Sequence, residues 1–146
     1  MTKEELIETI MDMEWSMFQN VQNIGGRAAC QDELDTFRIM RASQAENWSE
    51  TVLESYHQDL TDAVKEGRNL MTEKYARMMK STSPSEYANI EHLLPVLSLE
   101  VIEYIERIAS IVLEWETELL GKYPAILKNG RPIHASDDTP FVTSLE

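Results

Sequence analysis

The chain has 146 residues, of which 42% are hydrophobic and 27% are charged, proportions that are ordinary for one globular domain and unlike those of disordered chains. Acidic residues outnumber basic ones by 26 to 13, and the resulting net charge of −13 opposes the electrostatic attraction that drives nucleic-acid binding. No apolar run approaches the roughly 18 residues of a membrane-spanning helix, and the N-terminus lacks the pattern of a signal peptide. We therefore expect neither a nucleic-acid nor a membrane partner.

Cys30 is the single cysteine, so the chain cannot form an internal disulfide bond. In a chain without a signal peptide, this is typical of proteins from the reducing cytosol. We therefore expect a cytoplasmic location.

Two helices are predicted in the first third of the chain. The first covers residues 3–23, because Thr2 and Glu5 have the spacing of a capping box and apolar residues follow at helical intervals. Gly25-Gly26 ends this helix. The second helix is predicted from residue 30 or 31 to residue 45, with apolar residues on one side and acidic residues in its first turn.

A single apolar register continues from Leu53 to Met78, after Ser49 as a suitable N-cap. This register predicts one long third helix that ends near residue 80. Gly67 lies inside it, where a glycine either allows a neighbouring helix to come close or breaks the helix at residues 67–69. We favour the continuous helix.

Two further helices follow. The segment Ser83-Pro84-Ser85-Glu86 combines an N-cap, a proline at the first helical position and a capping-box glutamate, which predicts a short helix that Pro95 ends. Ser98 then caps a last helix, and Gly121 ends it. Its apolar residues share one face, which is expected to pack into the core: Val101, Tyr104, Ile105, Ile108, Ile111, Val112, Trp115 and Leu119.

No strand pattern competes with these helices. The predicted fold is all-α, an irregular bundle of about four main helices and one short helix over residues 1–121. An irregular, proline-containing tail over residues 122–146 is expected to pack on or near the bundle.

Glu14 lies in the middle of the apolar stripe of the first helix, where a core residue is expected. Because an unpaired buried carboxylate is costly, Glu14 is expected to meet a cation, a metal, a hydrogen-bond donor or a water-filled cavity, or else to lie partly exposed at the end of the bundle. Arg41 and Gln44 share the apolar face of the second helix, and Arg41 is the predicted partner of Glu14. The pair is either a structural ion pair or the polar floor of a pocket for a carboxylate or phosphate.

Further candidates lie near these residues. The two glycines at residues 25–26 precede a helix N-terminus, where backbone amides and Arg27 could bind an anion. Cys30 is either a reactive thiolate near that N-terminus or, as we favour, a buried and inert side chain. His57 and Lys74, on the stripe of the third helix, either complete a Cys-His or proton-transfer site or are ordinary core neighbours.

Metal ligation is not predicted. A di-iron carboxylate bundle requires two Glu-x-x-His motifs, and the chain contains one copy, Glu54-Ser55-Tyr56-His57. Three tail residues carry groups that could hold a metal, but their spacing is common in loops: His134, Asp137 and Asp138.

Two stretches of the chain, EWSMFQNVQNIGGRAACQ at residues 14–31 and TFRIMRASQ at residues 36–44, resemble a bacterial family known as domain of unknown function 4125. Shorter matches to that family occur at residues 67–70, 74–79, 123–124 and 138–140. The family carries no assigned reaction, so the resemblance implies no mechanism. Its members continue beyond the position of Glu146, which implies either a truncated form or a vector-derived Leu145-Glu146 end.

Two functions are compatible with these residues, and the sequence identifies no cofactor and leaves homo-oligomers open. In the first, which we favour, the protein binds or transforms a small anionic metabolite in a polar pocket. The catalytic candidates are then Glu14, Cys30 and His57, and the ligand-binding candidates are Arg27, Gln31, Arg41, Gln44 and Lys74. In the second, the protein is a non-catalytic interaction or scaffold protein, in which the same residues form closed structural pairs and the acidic surface or the proline-rich tail recruits a protein.

Overall fold

The structure is a computed structural model that describes residues 1–23, 25–127 and 139–146. All regular secondary structure in these residues is helical, which confirms the all-α class. The prediction of about four main helices was wrong, because the described residues form eight α-helices and two short 3-10 turns. The α-helices are α1 (Lys3–Gln19), α2 (Leu34–Ala45), α3 (Glu50–Lys65), α4 (Leu70–Thr82), α5 (Pro84–Ile90), α6 (Leu99–Lys122), α7 (Pro124–Leu127) and α8 (Thr139–Leu145).

The chain divides into two compact units, residues 1–73 and residues 74–146. The predicted organisation, a bundle over residues 1–121 and a tail over residues 122–146, stays a prediction. Among the described residues, no helix is long and apolar enough to cross a lipid bilayer.

The first unit is built around α1, which packs against both α2 and α3. The predicted capping box is confirmed, because Thr2 Oγ1 accepts the Glu5 N–H at 3.1 Å and the Glu5 carboxylate accepts the Thr2 N–H at 2.7 Å. α1 ends at Gln19 rather than near Asn23. α2 begins at Leu34, later than predicted, because residues 29–32 form a 3-10 turn.

The hydrophobic core of this unit joins side chains from α1, α3 and neighbouring elements. Ile10 and Met11 of α1 and Leu53 and Leu60 of α3 are at most 1% exposed. A cluster of aromatic rings packs against this core, with centroids 5.2 to 6.0 Å apart: Trp15, Phe18 and Phe37. The apolar face predicted for α1 is therefore the core face, and Glu14 lies within it.

The predicted long third helix was wrong, since the chain breaks at Gly67 into α3 and α4. Gly67 has a φ of +72°, and its N–H donates to the Val64 carbonyl at 3.1 Å. The Arg68 N–H donates to the Ala63 carbonyl at 2.8 Å. This pair of hydrogen bonds around a left-handed glycine is the Schellman motif, which ends α-helices.

Asn69 lies immediately before Leu70, the first residue of α4. Its Oδ1 atom accepts the Thr72 N–H at 3.0 Å, and its Nδ2 atom donates to the Met17 carbonyl at 2.7 Å. One side chain therefore caps the first turn of α4 and attaches that turn to α1.

In the second unit, the predicted caps are confirmed in part. Pro84 occupies the start of α5, but Ser83 makes no side-chain capping bond. Ser98 Oγ accepts the Val101 N–H at 3.2 Å and caps α6 as predicted. α6 continues through Gly121 to Lys122, and the tail that was expected to be irregular contains α7 and α8.

Candidate functional site

Glu14 and Arg41 form a direct ion pair between α1 and α2, as the sequence predicts. Arg41 Nε donates to Glu14 Oε2 at 2.9 Å, and Arg41 Nη2 donates to Glu14 Oε1 at 2.5 Å. The Tyr56 hydroxyl, from α3, donates to Glu14 Oε1 at 2.7 Å. Both carboxylate oxygens are therefore held by donors from two other helices.

This cluster is closed to solvent on the Glu14 side. The Glu14 side chain is 0% exposed, and the Arg41 side chain is 19% exposed. A water-sized cavity beside the carboxylate would leave part of its surface accessible, so none adjoins it. Gln44, on the exposed side, accepts from Arg41 Nη1 at 3.0 Å and is itself exposed.

Electrostatics within the cluster favour the charged guanidinium and the neutral phenol. The hydrogen bond to Glu14 raises the pKa of Arg41 above its ordinary value. Burial, followed by the nearby Glu14 carboxylate, raises the pKa of Tyr56. Tyr56 therefore stays protonated and keeps donating to Glu14 across the neutral pH range.

Sequence reasoning missed Tyr56 as the third member of this cluster. The residue lies in the apolar register of α3, between Leu53 and Leu60, and was counted as a core side chain. The rings of Tyr56 and Trp48 pack edge to face, with centroids 5.8 Å apart and planes at 89°. A buried tyrosine hydroxyl usually needs a polar partner, and this requirement was the signal that could have identified it.

Gln31, a predicted ligand-binding residue, is 1% exposed and closes the loop between α1 and α2. Its Nε2 atom donates to the Phe18 carbonyl at 2.9 Å and to the Val21 carbonyl at 3.2 Å. Its Oε1 atom accepts the Ala28 N–H at 2.8 Å and Asn23 Nδ2 at 2.9 Å. The two donors and two lone pairs of the amide are all used, which leaves none for a ligand.

Arg27 is bonded to groups of the same loop. Its guanidinium donates to the Gln31 carbonyl at 2.7 Å, to Asp32 Oδ1 at 3.0 Å and to the side-chain oxygen of Gln19. An anion at this loop would compete with the Asp32 carboxylate for Arg27. Through these hydrogen bonds, Arg27 and Gln31 hold the loop between α1 and α2 in place.

The structure places the remaining candidates, Cys30, His57 and Lys74, on three different elements. Cys30 is exposed in the 3-10 turn, so the favoured interpretation of a buried thiol was wrong. His57 is half-buried on α3, next to Tyr56 and thus turned by about 100° around the helix. Within the described residues, no hydrogen bond joins Cys30 or His57 to Glu14. Lys74 is half-buried on α4.

Metal-binding groups do not converge in the part of the chain that the structure describes, where no cluster of three or more His, Cys, Asp or Glu side chains is suited to a metal ion. The three tail residues considered for metal ligation lie outside the described residues: His134, Asp137 and Asp138.

The largest difference from the predicted core is on α6, where only one border of the expected face is buried. Ile105 and Ala109 are each 7% exposed. Most of the apolar face predicted to pack inside is 41 to 61% exposed instead, and we call this row the α6 stripe: Val101, Tyr104, Ile108, Ile111, Trp115 and Leu119.

The α6 stripe is straight, because its residues follow one another at intervals of three or four positions. One edge of the stripe is acidic and exposed, with Glu100, Glu103, Glu114 and Glu118 around one arginine, Arg107. A shallow depression beside Ile111 is lined by Glu103 and Arg107 among others. The other edge of the stripe adjoins the buried side of α6.

Comparisons with known proteins supply a family and no activity. No curated protein and no solved structure is significantly similar to the chain. The family model described as protein of unknown function (DUF4125) matches residues 4–146. Because that match covers nearly the whole sequence, the chain belongs to this family.

Proposed function

We propose that the protein is a non-catalytic interaction protein that binds an α-helix of a partner protein along the α6 stripe. The observation that carries this proposal is the exposure of six large apolar side chains in one row, each 41 to 61% exposed. Single apolar residues are common on protein surfaces, but contiguous rows of this kind are typical of interaction sites.

The form of the stripe favours a helix as the occupant. From Val101 to Leu119 it covers 18 residue steps, which is roughly 27 Å at the rise of an α-helix. Apolar residues at alternating intervals of three and four are the pattern with which helices pack side by side. Trp115 and Tyr104 provide large, rigid anchors of the kind that dominate binding energy in protein interfaces.

The polar residues support this choice over an enzyme or metabolite-binding protein. Glu14 is fully buried with both oxygens bonded, and the Gln31 amide has no unused hydrogen-bonding group. A ligand at either residue would have to displace an internal partner. The anionic-metabolite pocket stays a prediction. A thermal-shift panel of anionic metabolites tests it, because a bound ligand raises the unfolding temperature.

A binding experiment tests the helix-docking function. The probe is a designed, fluorescently labelled helical peptide of about 20 residues, matched to the length of the stripe, with leucine at its seam positions and glutamine on both edges. We expect the full chain to bind this peptide and Trp115→Ser to weaken binding by about tenfold or more, as loss of an aromatic anchor does. Fluorescence anisotropy measures the dissociation constant.

The control is Leu99→Ser, which also removes an exposed apolar side chain of α6 but lies away from the stripe, at 80% exposure. It should leave the dissociation constant within about twofold of the unmodified chain, since scattered surface residues contribute little to binding. Circular dichroism verifies that both variants keep their helix content. Equal binding by Trp115→Ser and the unmodified chain would contradict the proposal.

A further inference from the structure

Resting on the proposed helix-docking function, we infer that the partner is a basic amphipathic helix, one that carries lysine or arginine along the edge of its own apolar seam. The observation behind this inference is the unequal charge of the two edges of the stripe.

One edge of the stripe presents four exposed glutamates and one arginine: Glu100, Glu103, Glu114, Glu118 and Arg107. Lys122 donates to Glu118 at 2.9 Å and neutralises part of this charge. Glu103 and Glu114 carry no such partner among the described residues. The side of α6 that carries Ile105 and Ala109 is buried. A helix that docks on the stripe therefore places one of its edges against these carboxylates.

The charge at this edge affects which helix binds more than it affects how tightly that helix binds. Exposed ion pairs at the rim of an interface add little affinity, but they set partner orientation and association rate, and like charges placed opposite one another reject wrong partners. The expected signature is therefore a preference between helices of equal apolar content. That preference should weaken as salt shortens the Debye length.

The same charges disfavour the other occupants. A second copy would bring an identical edge of four glutamates and one arginine, so like charges would outnumber opposite ones across the interface. Both copies would also carry a net charge of −13, which adds long-range repulsion. An anionic membrane surface is repelled for the same reason.

Three labelled peptides test the inference. They share the leucine seam described above and carry lysine, glutamine or glutamate on their edges. At about 0.01 M salt we expect the full chain to bind the lysine peptide about tenfold more tightly than the glutamate peptide, and at about 1 M salt the two should differ by less than about twofold.

A matched pair of charge reversals assigns the preference to the edge. Glu114→Lys, beside the stripe, should reduce the ratio of the two affinities by about threefold or more. Glu106→Lys makes the same charge change farther from the row of apolar side chains and should reduce the ratio by less than Glu114→Lys does, because at about 0.01 M salt both charges act on the bound peptide and the nearer one acts more strongly. Equal effects of the two variants would overturn the inference.

The outcomes separate this inference from the function on which it rests. If the three peptides bind equally and Trp115→Ser weakens all of them, helix docking stands and the basic partner is overturned. If no peptide binds, sedimentation velocity decides between a concentration-dependent dimer that Trp115→Ser abolishes and a monomer. The dimer identifies a second copy as the occupant and overturns the inference, and the monomer overturns both proposals. Binding to phosphatidylserine vesicles instead would also overturn both.

Discussion

The Glu14 carboxylate is held inside the first unit by three hydrogen bonds from Arg41 and Tyr56. Removal of one member of a buried ion pair is more harmful than replacement of the whole pair, because the remaining charge keeps its desolvation cost and loses its compensation. Through these bonds the cluster joins α1, α2 and α3.

Arg41→Ala is expected to lower the free energy of unfolding by about 3–5 kcal/mol, since it leaves the Glu14 carboxylate buried without its cation. Urea denaturation followed by circular dichroism measures the change. Adding Glu14→Leu to Arg41→Ala should recover part of the loss, because the buried charge is then gone.

Arg38→Ala is the matched control, because Arg38 also joins α2 to α1 but pairs with exposed carboxylates, with Asp12 at 2.9 Å and with Glu8. Such a surface pair contributes about 0–1 kcal/mol. If Arg41→Ala costs no more than Arg38→Ala, the buried cluster does not stabilise the fold.

Tyr56 makes the stability of the first unit sensitive to alkaline pH. Its pKa is raised in the folded state, chiefly by burial, whereas in the unfolded chain it is about 10. Below pH 10 both states hold the proton, and above it the unfolded state releases the proton first, so the free energy of unfolding falls as pH rises. We expect this decline above about pH 10 to be smaller in Tyr56→Phe, as measured by urea denaturation between about pH 8 and 11.

An equal decline in both proteins would contradict this assignment. Phenylalanine keeps the ring that packs against Trp48, so the comparison isolates the hydroxyl group.

At the scale of the helices, the break at Gly67 ends α3 and separates it from α4. The glycine adopts a φ of +72°, and a Cβ atom added to it would meet nothing within 4 Å. A side chain at this position would therefore be disfavoured by the backbone conformation and not by steric contact with neighbouring residues. In L-amino acids the left-handed conformation costs roughly 1–2 kcal/mol.

Gly67→Ala is therefore expected to lower the free energy of unfolding by about 1 kcal/mol. In a continuous helix the same change would raise it by a similar amount, because alanine favours the helix over glycine. The sign, measured by urea denaturation, distinguishes the two arrangements. Gly121→Ala, inside α6 and with open space around its Cβ position, should raise the value or leave it unchanged.

Three of the predicted helix caps were confirmed, because a cap depends on residues within one turn. Thr2, Ser49 and Ser98 all accept the backbone N–H three residues later, as their sequence context predicts. The end of α3 was mispredicted because the apolar register continues on both sides of Gly67. Periodicity reports which face of a helix is apolar, and it does not report a change of direction at a left-handed residue.

The loop between α1 and α2 was harder to interpret from sequence. Gln31 bonds to carbonyls 10 and 13 residues away, contacts that no local pattern encodes. Its polar character therefore looked like that of a ligand-binding side chain, although it serves to pair the buried backbone of the loop.

For the molecule as a whole, α6 shows the limit of an amphipathic pattern. The apolar residues of α6 extend over more than half of its circumference, from Leu113 through the buried Ile105 and Ala109 to the exposed Ile111. Hydrophobicity alone does not rank these positions, so the sequence could not tell which side the rest of the chain covers. That assignment determines whether the helix is a core element or a binding surface.

The sequence by itself determined the all-α class, the caps at Thr2, Ser49 and Ser98, the strong negative charge and the pairing of Glu14 with Arg41, because each depends on local geometry or on a buried carboxylate that requires a cation. Only the tertiary structure decided that Tyr56 completes this pair, that Gln31 closes a loop and that the α6 stripe lies exposed. Those features depend on which segments meet in space, and the distances that join them span many residues of the chain.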